Sequence, residues 1–315
     1  MIDSAFSKHV EEGLSISPKK LSSQYFYDDN GSRIFQQIMA MPEYYLTGCE
    51  FEILSTRSQE IFEALAFNGH FNVIELGAGD GVKTKELLSK FAAAGADLTY
   101  VPIDISEEAI NILVDKMKRH IPGIKINPQV GDYFEVMDKI EAEENCPNLV
   151  LFLGANIGNF SDESAVELLL HVNEHIRSGD KLLVGFDLQK NPLLISLAYN
   201  DPHGITKGFN LNLLVRINQE LGANFQLDQF DFYSHYNPKN GEVRSYLVSL
   251  RQQDVRIGAV GMSFHFEKDE LIATELSKKY SLDQIEHLAL QSGFEFGQHF
   301  LDCKHYFSDT LFIKP

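Results

Sequence analysis

Cysteine is scarce in this chain of 315 residues: there are three, Cys49, Cys146 and Cys303, far apart in sequence. No C-x-x-C pair and no even-numbered set exists. That excludes a zinc ribbon or a disulfide-stapled scaffold and suits a reducing compartment, taken here as the cytoplasm. Basic residues are outnumbered, with 27 Lys and Arg against 45 Asp and Glu, for a formal charge of −18. A surface that acidic repels phosphate backbones and anionic lipid, so neither nucleic acid nor a membrane is expected as a partner. Long apolar runs are missing too. The stretch 148–158 is far too short to span a bilayer, and the first twenty residues hold no apolar core of a secretion signal. Internal repeats and low-complexity tracts are absent. The composition is 44% hydrophobic and 23% charged, enough to bury a sizeable core as one large domain or two smaller ones.

The texture of the chain changes at Asn72. Before it, residues 1–60 are rich in Ser, Tyr and Phe, with helical pieces and a proline turn at Met41-Pro42-Glu43. After it, short apolar runs (NVIELGAG, LTYVPIDIS, NLVLFLGANIG, DKLLVGFDL) alternate with amphipathic stretches (KTKELLSKF, EEAINILVDKMKRH, DESAVELLLHVNEHI). That alternation predicts βαβ units and a parallel sheet. Ser106 and Asp162 offer capping oxygens to the helices that follow them. Residues 191–280 break the pattern: two helices, then two strands joined by a turn at 238–241, then a strand over MSFHF with an extended continuation. A helix after 281 and two final strands close the chain. The expected fold is α/β: a Rossmann-like doubly wound sheet over 61–190 plus 281–315, with a second, smaller α+β domain from 1–60 plus 191–280.

Four strand exits carry the chemistry. Glu75-Leu76-Gly77-Ala78-Gly79-Asp80-Gly81 ends a buried strand in glycines, where a ligand can approach the backbone. The pattern is G-x-G-x-G and lacks the dinucleotide G-x-G-x-x-G spacing. Asp104, at the end of Val101-Pro102-Ile103-Asp104, is placed to accept ribose hydroxyls. Asp132 and Tyr133 suit an adenine amino group and its ring. Asn156 and Asn159 lie in a glycine-rich exit at 154–159, poor core material. Each has a bland alternative in a tight turn, a helix cap or a solvated loop. Taken in order, the series looks like a class I methyltransferase using S-adenosylmethionine, with a pyrophosphate-binding dehydrogenase as the weaker reading.

Further motifs lie outside that core: Tyr27-Asp28-Asp29-Asn30-Gly31-Ser32 with Phe35, Pro42-Glu43-Tyr44-Tyr45-Leu46-Thr47 with Glu50, F-L-G-x-x-I-G-N at 152–159, Ala198-Tyr199-Asn200-Asp201, and G-x-T-x-x-F-N-x-N-L-L at 204–214. From about residue 20 to the end, the chain resembles the L-histidine Nα-methyltransferases, the ergothioneine-pathway enzymes that make hercynine. The resemblance implies that Gly77, Gly79, Lys83, Asp104, Asp132 and Tyr133 contact S-adenosylmethionine. It implies that Tyr44, Asn159 and Tyr199 hold the substrate amino and carboxylate groups, with Tyr27 near the closing site. Glu275 and Ser277 would read the imidazole, as the family's E-x-S element does. Tyr27, Tyr44 and Asn159 are the catalytic candidates. One departure stands out: in Glu242-Val243-Arg244-Ser245, a small Ser245 would replace a methionine that packs on the ring.

Methyl transfer from a sulfonium to an amine is an in-line displacement, so the expectation includes no metal and no covalent nucleophile. The protein must hold a neutral amine about 3–3.5 Å from the methyl carbon. Strand alternation puts Glu275 and Ser277 on one face, where both can reach one ring. His171 and His175 alone among the histidines have ligand-like spacing, and an exposed helix face is expected there. The activity that the resemblance implies is S-adenosylmethionine-dependent Nα-methylation of free L-histidine, up to trimethylation. Another amino acid or aromatic amine as substrate, or a catalytically silent S-adenosylmethionine-binding protein, are the alternatives. The sequence leaves the oligomeric state open, with a monomer as the working expectation.

Overall fold

The computed structural model describes residues 4–132, 135–137 and 146–315. The chain forms two compact units, one of residues up to Tyr45 with Lys190–Lys278, the other of Leu46–Gln189 with Lys279–Pro315. The strands, in chain order, are β1 (Lys19–Lys20), β2 (Phe71–Leu76), β3 (Leu98–Asp104), β4 (Lys125–Ile126), β5 (Gln129–Val130), β6 (Asn148–Phe152), β7 (Lys181–Asp187), β8 (Phe230–Asn237), β9 (Glu242–Ser249), β10 (Gln253–Ile257), β11 (Met262–Phe266), β12 (Leu271–Lys278), β13 (Glu295–Leu301) and β14 (Phe307–Ile313).

The larger unit is a mostly parallel sheet in the order β4-β3-β2-β6-β7-β14-β13, with β5 also on β3. Strands β3, β2, β6 and β7 run parallel, and β14 is antiparallel to β7. Every residue of β2 and β7 is buried, as expected of strands covered on both faces. The order reverses beside β2, whose neighbours are β3 and β6. Ligands of open α/β sheets bind outside the strand carboxyl ends at such a switch point. The core beneath joins Ile74, Val101 and Val150 of the strands to Leu168 and Val172, and to Ile285 and Leu288. This is the Rossmann-like arrangement that the alternating pattern implied.

Helix starts follow local chemistry. The Ser106 hydroxyl accepts from the Ala109 N–H at 3.2 Å, with Glu107 and Glu108 in the first turn of Glu107–His120. At Asp162–His175 the cap is Ser161, which accepts from the Ser164 N–H at 3.2 Å; Asp162, the expected cap, sits one position later in the first turn. Ser281 and Gln284 form a reciprocal capping box on Leu282–Gln291.

The boundary between units differs from the expectation at residues 46–60. The helix Tyr45–Thr56 buries Leu46, Cys49, Glu50, Ile53 and Leu54. Phe62 of the next helix packs on Phe71 and Phe91, with ring centres 6.5 and 5.2 Å apart. These contacts tie the segment to the sheet. Lys279 and Tyr280 also belong to the larger unit. Lys279 pairs with Asp187 at 2.8 Å with both side chains fully buried, and Tyr280 bridges Leu188.

The smaller unit carries a sheet in the order β1-β12-β9-β8 and a separate β10-β11 hairpin. The expected single strand with an extended continuation resolves into β11 and β12. Asp269 makes the break, in a left-handed conformation at φ 67° where no Gly or Pro marks the turn. The register of β12 on β9 shifts between Ala273 and Glu275, a bulge just ahead of the candidate substrate acid. The helix Ile205–Leu221 supplies Phe209, Leu213, Leu214 and Ile217 to this unit's core beside Phe6, Phe26, Leu247 and Ile272. Among the described residues, no helix is long and apolar enough to cross a membrane.

Glycine at 81 does two jobs. Its φ is 61°, and an added Cβ would lie 2.1 Å from Leu113 Cδ1 and 2.9 Å from Met117 Cε. Gly95, at φ 81°, has open space around it. Gly81→Ala therefore combines backbone strain of about 1–2 kcal/mol with overpacking of about 1–3 kcal/mol, whereas Gly95→Ala carries only the first. Urea denaturation of both variants checks this, and equal losses would contradict the packing role of Gly81.

Candidate active site

One group of candidates lies at the carboxyl ends of the parallel strands. Gly77 and Gly79 have φ of 70° and 53°, and no heavy atom stands within 4 Å of a Cβ built on either. The backbone there faces open space, a cradle that side chains at those positions would fill. The Gly77 and Ala78 N–H groups donate to the Ile103 carbonyl at 2.9 and 3.1 Å. Asp104 ends β3 half-buried; its Oδ2 accepts from the Gly79 N–H at 3.1 Å and its Oδ1 from the Ser106 N–H at 3.0 Å. The acid is thus already aimed at the glycine turn. Asp132 is exposed after Gly131, whose N–H donates to the Asp104 carbonyl at 3.0 Å. Tyr133 lies outside the described residues. Asn159 is exposed at the end of the short helical turn Asn156–Asn159, just past β6.

Lys83, in the first turn after the glycines, points its ammonium into a nest of carboxylates. It pairs with Glu50, which is 1% exposed and whose other oxygen accepts from the Gly154 N–H at 2.6 Å. Burial opposes the Lys83 charge, but Glu50 first, then Asp309 and Glu75, raise its pKa above the ordinary value. Asp309, on β14, is fully buried and has no hydrogen-bond partner among the described residues; burial and the Glu50 charge push its carboxyl well above the ordinary range. Glu75, on β2, accepts from the Thr84 and Tyr100 hydroxyls. Burial pushes it up to about 7 against those two donors and Lys83, with Glu50 adding to the rise. Glu50 and Glu75 stand in the sequence motifs without a role, and Asp309 lies outside them. The available signal was an acid inside otherwise apolar strands, where charges are rarely buried without partners.

The smaller unit gathers the other candidates. Tyr199 and Ser277 share a buried hydrogen bond of 2.8 Å between hydroxyls. Tyr44 meets Tyr199 edge-on at 6.3 Å, and Phe35 lies 6.4 Å from Tyr44 and 5.4 Å from Tyr27. Glu275 is half-buried on β12 opposite Ser245 of β9, and the Ser245 hydroxyl donates to Glu275 Oε2 at 3.3 Å. Tyr27 is half exposed at the surface, but the protein packed around its hydroxyl, then the Glu275 charge, raises the pKa of that hydroxyl. Val243, two residues earlier on the same face, stands opposite Ser277; it is 1% exposed in a cluster with Tyr199, Ile195 and Ala198, and Tyr44 packs against that cluster.

Several motif residues prove to be framework. Asp28 caps the helix Asp29–Ala40, accepting from the Gly31 N–H at 2.6 Å and from Asn212 at 2.8 Å. A Cβ on Gly31 would collide with the Phe26 carbonyl at 1.7 Å. Asn210 accepts from the Thr274 hydroxyl at 2.7 Å, one residue before Glu275. Asp201 accepts from the His203, Ile205 and Thr206 N–H groups at 2.8–3.0 Å. Burial works against the Asp201 charge, but these donors outweigh it and hold its carboxyl below the ordinary range. His171 and His175 are half-buried, not exposed, with rings 4.3 Å apart. Among the described residues, Glu52, Asp302 and Cys303 bring three possible ligand atoms within 4.8 Å of one another. Asp302 already accepts from three N–H groups there, and the Cys303 thiol donates to Glu52.

Comparison with known proteins gives a consistent answer. The family described as histidine-specific methyltransferase, SAM-dependent, matches residues 6–314. A histidine N-alpha-methyltransferase of Mycobacterium tuberculosis is 35% identical over 88% of this chain and 84% of its own length. One from Mycolicibacterium smegmatis is 34% identical over 89% and 86%. The ergothioneine biosynthesis protein 1 of Schizosaccharomyces pombe is 31% identical over 89% of this chain and 37% of its own length.

The raised pKa of Glu75 sets a pH dependence. A carboxyl whose folded pKa exceeds its unfolded value contributes stability in full below the unfolded value and loses it as pH rises through the folded one. For Glu75 that window runs from 4.5 to about 7. Between pH 4 and 8, Glu75→Gln is expected to gain about 3 kcal/mol relative to the parent in denaturant titrations. A pH-independent difference would show that Glu75 is not held protonated by burial.

Proposed function

Because the chain belongs to the histidine-specific, S-adenosylmethionine-dependent methyltransferase family, we propose that it methylates the α-amino nitrogen of free L-histidine, up to the trimethylated product hercynine. The observation that carries the substrate half is the grouping of Tyr44, Tyr199, Ser277, Glu275 and Tyr27 within one unit, around the β9–β12 pair. S-adenosylmethionine supplies a methyl group already activated on a sulfonium. The open glycine cradle at 77–79 fits such a ligand, with Asp104 to accept ribose hydroxyls, Lys83 to hold the methionyl carboxylate and Asp132 to meet the adenine amino group.

What remains for the protein is orientation and protonation. An α-ammonium has no lone pair, so the amine must be uncharged when it attacks. Tyr27 keeps its proton, since the protein packed around its hydroxyl and the Glu275 charge both disfavour a phenolate, so that hydroxyl would serve as a hydrogen-bond partner of the nitrogen and not as an anionic base. Within the smaller unit Tyr44 would hold the substrate amino or carboxylate group, and we carry Asn159 of the larger unit as a further candidate on the strength of its motif alone. Ser277 reaches the ring as half of a hydroxyl pair whose other half, Tyr199, is held by Val243 and its neighbours. Glu275 would accept an imidazole N–H, a charge-assisted bond that an indole or phenol cannot reproduce with the same geometry. A second reading, N-methylation of another amino acid or of an aromatic amine, draws on the small Val243 and Ser245 on the same face. Cys49, Cys146 and Cys303, none of them in a disulfide, are compatible with the cytoplasmic setting proposed for the protein.

Incubation with histidine and S-adenosylmethionine, followed by mass spectrometry, is expected to show one, two and then three added methyl groups. Glu275→Ala should raise the KM for histidine at least tenfold, the loss of a hydrogen bond to a charged group worth about 1.5–3 kcal/mol. Its affinity for S-adenosylhomocysteine should not change. Equal losses for both ligands would mean general damage, and no methylated histidine from the parent protein would defeat the substrate assignment.

A further inference from the structure

We propose that Glu50 is a positioning residue for the methyl donor, holding the Lys83 ammonium at the strand exit where the donor's carboxylate is taken. This rests on the reading of Lys83 as that carboxylate's partner. Glu50 comes from a helix outside the βα succession and reaches into the sheet with both oxygens committed, one to Lys83 and one to the Gly154 N–H at 2.6 Å. The neighbouring strand is built to admit it. A Cβ on Gly185 would stand 2.4 Å from Glu50 Oε1 and 3.2 Å from the Phe307 ring, so only glycine leaves room for the carboxylate. Lys83 Nζ in turn lies 3.6 Å from the point where a Cβ on Gly154 would sit. One carboxylate thus links the first turn after the glycine cradle to the turn that follows β6.

A lysine stem is flexible and loses much rotamer freedom when fixed. Pairing with a buried, doubly bonded carboxylate removes that freedom before the ligand arrives, which is how preorganisation strengthens binding. Glu50 also keeps Lys83 charged. The groups facing the ammonium are Glu50 from the helix Tyr45–Thr56, Asp309 from β14 and Glu75 from β2. Asp309 and Glu75 are pushed toward their neutral forms by burial, which leaves Glu50 as the principal counter-charge. Without it, burial dominates and the ammonium deprotonates more readily.

The test is calorimetric titration of S-adenosylhomocysteine between pH 6.5 and 9.5. The parent protein should bind with little change over this range. Glu50→Gln, which preserves shape and an acceptor for Gly154, should bind about tenfold more weakly at pH 7 and lose further affinity as pH rises, while Glu50→Asp restores a flat profile. Lys83→Gln separates the two claims. If it leaves affinity unchanged, Lys83 does not hold the donor and the underlying reading fails. If Lys83→Gln weakens binding but Glu50→Gln shows a flat, unweakened profile, the role of Glu50 alone is overturned. Should Glu50→Gln fail to fold, the parent suffices: affinity falling between pH 7 and 9 would contradict a Lys83 kept charged by its partner.

Discussion

A single ammonium faces three buried carboxylates at the carboxyl end of the parallel sheet, and the low dielectric allows few of those charges to coexist. Lys83 and Glu50 form the ion pair, while Glu75 and Asp309 are driven toward their neutral forms. Removing one partner of a buried pair leaves an uncompensated charge, so these positions are tied to one another more tightly than their distance in sequence suggests. The glycine turn, the exit of β6, Gly185 on β7 and Asp309 on β14 all bear on the same cluster. The sheet geometry around the cradle is therefore an electrostatic solution as much as a packing one.

In the smaller unit, hydrogen-bonded side chains do the corresponding work. Asp28, Asn30, Asn210, Asn212 and Asp201 bond backbone and side chains, fixing the helices Asp29–Ala40 and Ile205–Leu221, which start just after Tyr27 and Tyr199 in sequence. The residues proposed to touch substrate rest on this framework. The bulge ahead of Glu275 illustrates the division of labour: it interrupts the ladder at Thr274, whose hydroxyl is held by Asn210, and resumes with Glu275 opposite Ser245.

Much of this was legible in the residues. Buried parallel strands read as continuous apolar runs, and serine before an acidic first turn marks a helix start, so the βαβ succession and most of its boundaries could be drawn directly. Three features resisted. The helix Tyr45–Thr56 is apolar on several sides and lacks a clear amphipathic stripe, so nothing in its sequence showed that it packs on the sheet. The β11–β12 break rests on Asp269 in a left-handed turn, without the glycine or proline that would announce it. The partners of Val243 and Ser245 depend on the register with β12, which pairs Val243 with Ser277 and Ser245 with Glu275. Local pattern shows which residues share a face, but not which cross-strand neighbour each will meet.

The chemistry asks for an uncharged amine, an activated methyl group and a ring-specific grip, and the candidate residues divide along those lines. Calorimetric titration of histidine, tryptophan and tyrosine into protein saturated with S-adenosylhomocysteine tests that division most directly. Histidine alone should bind with measurable affinity, and Glu275→Ala should abolish the preference. Binding of tryptophan or tyrosine as tight as that of histidine, or a preference unchanged by the loss of the Glu275 carboxylate, would contradict it.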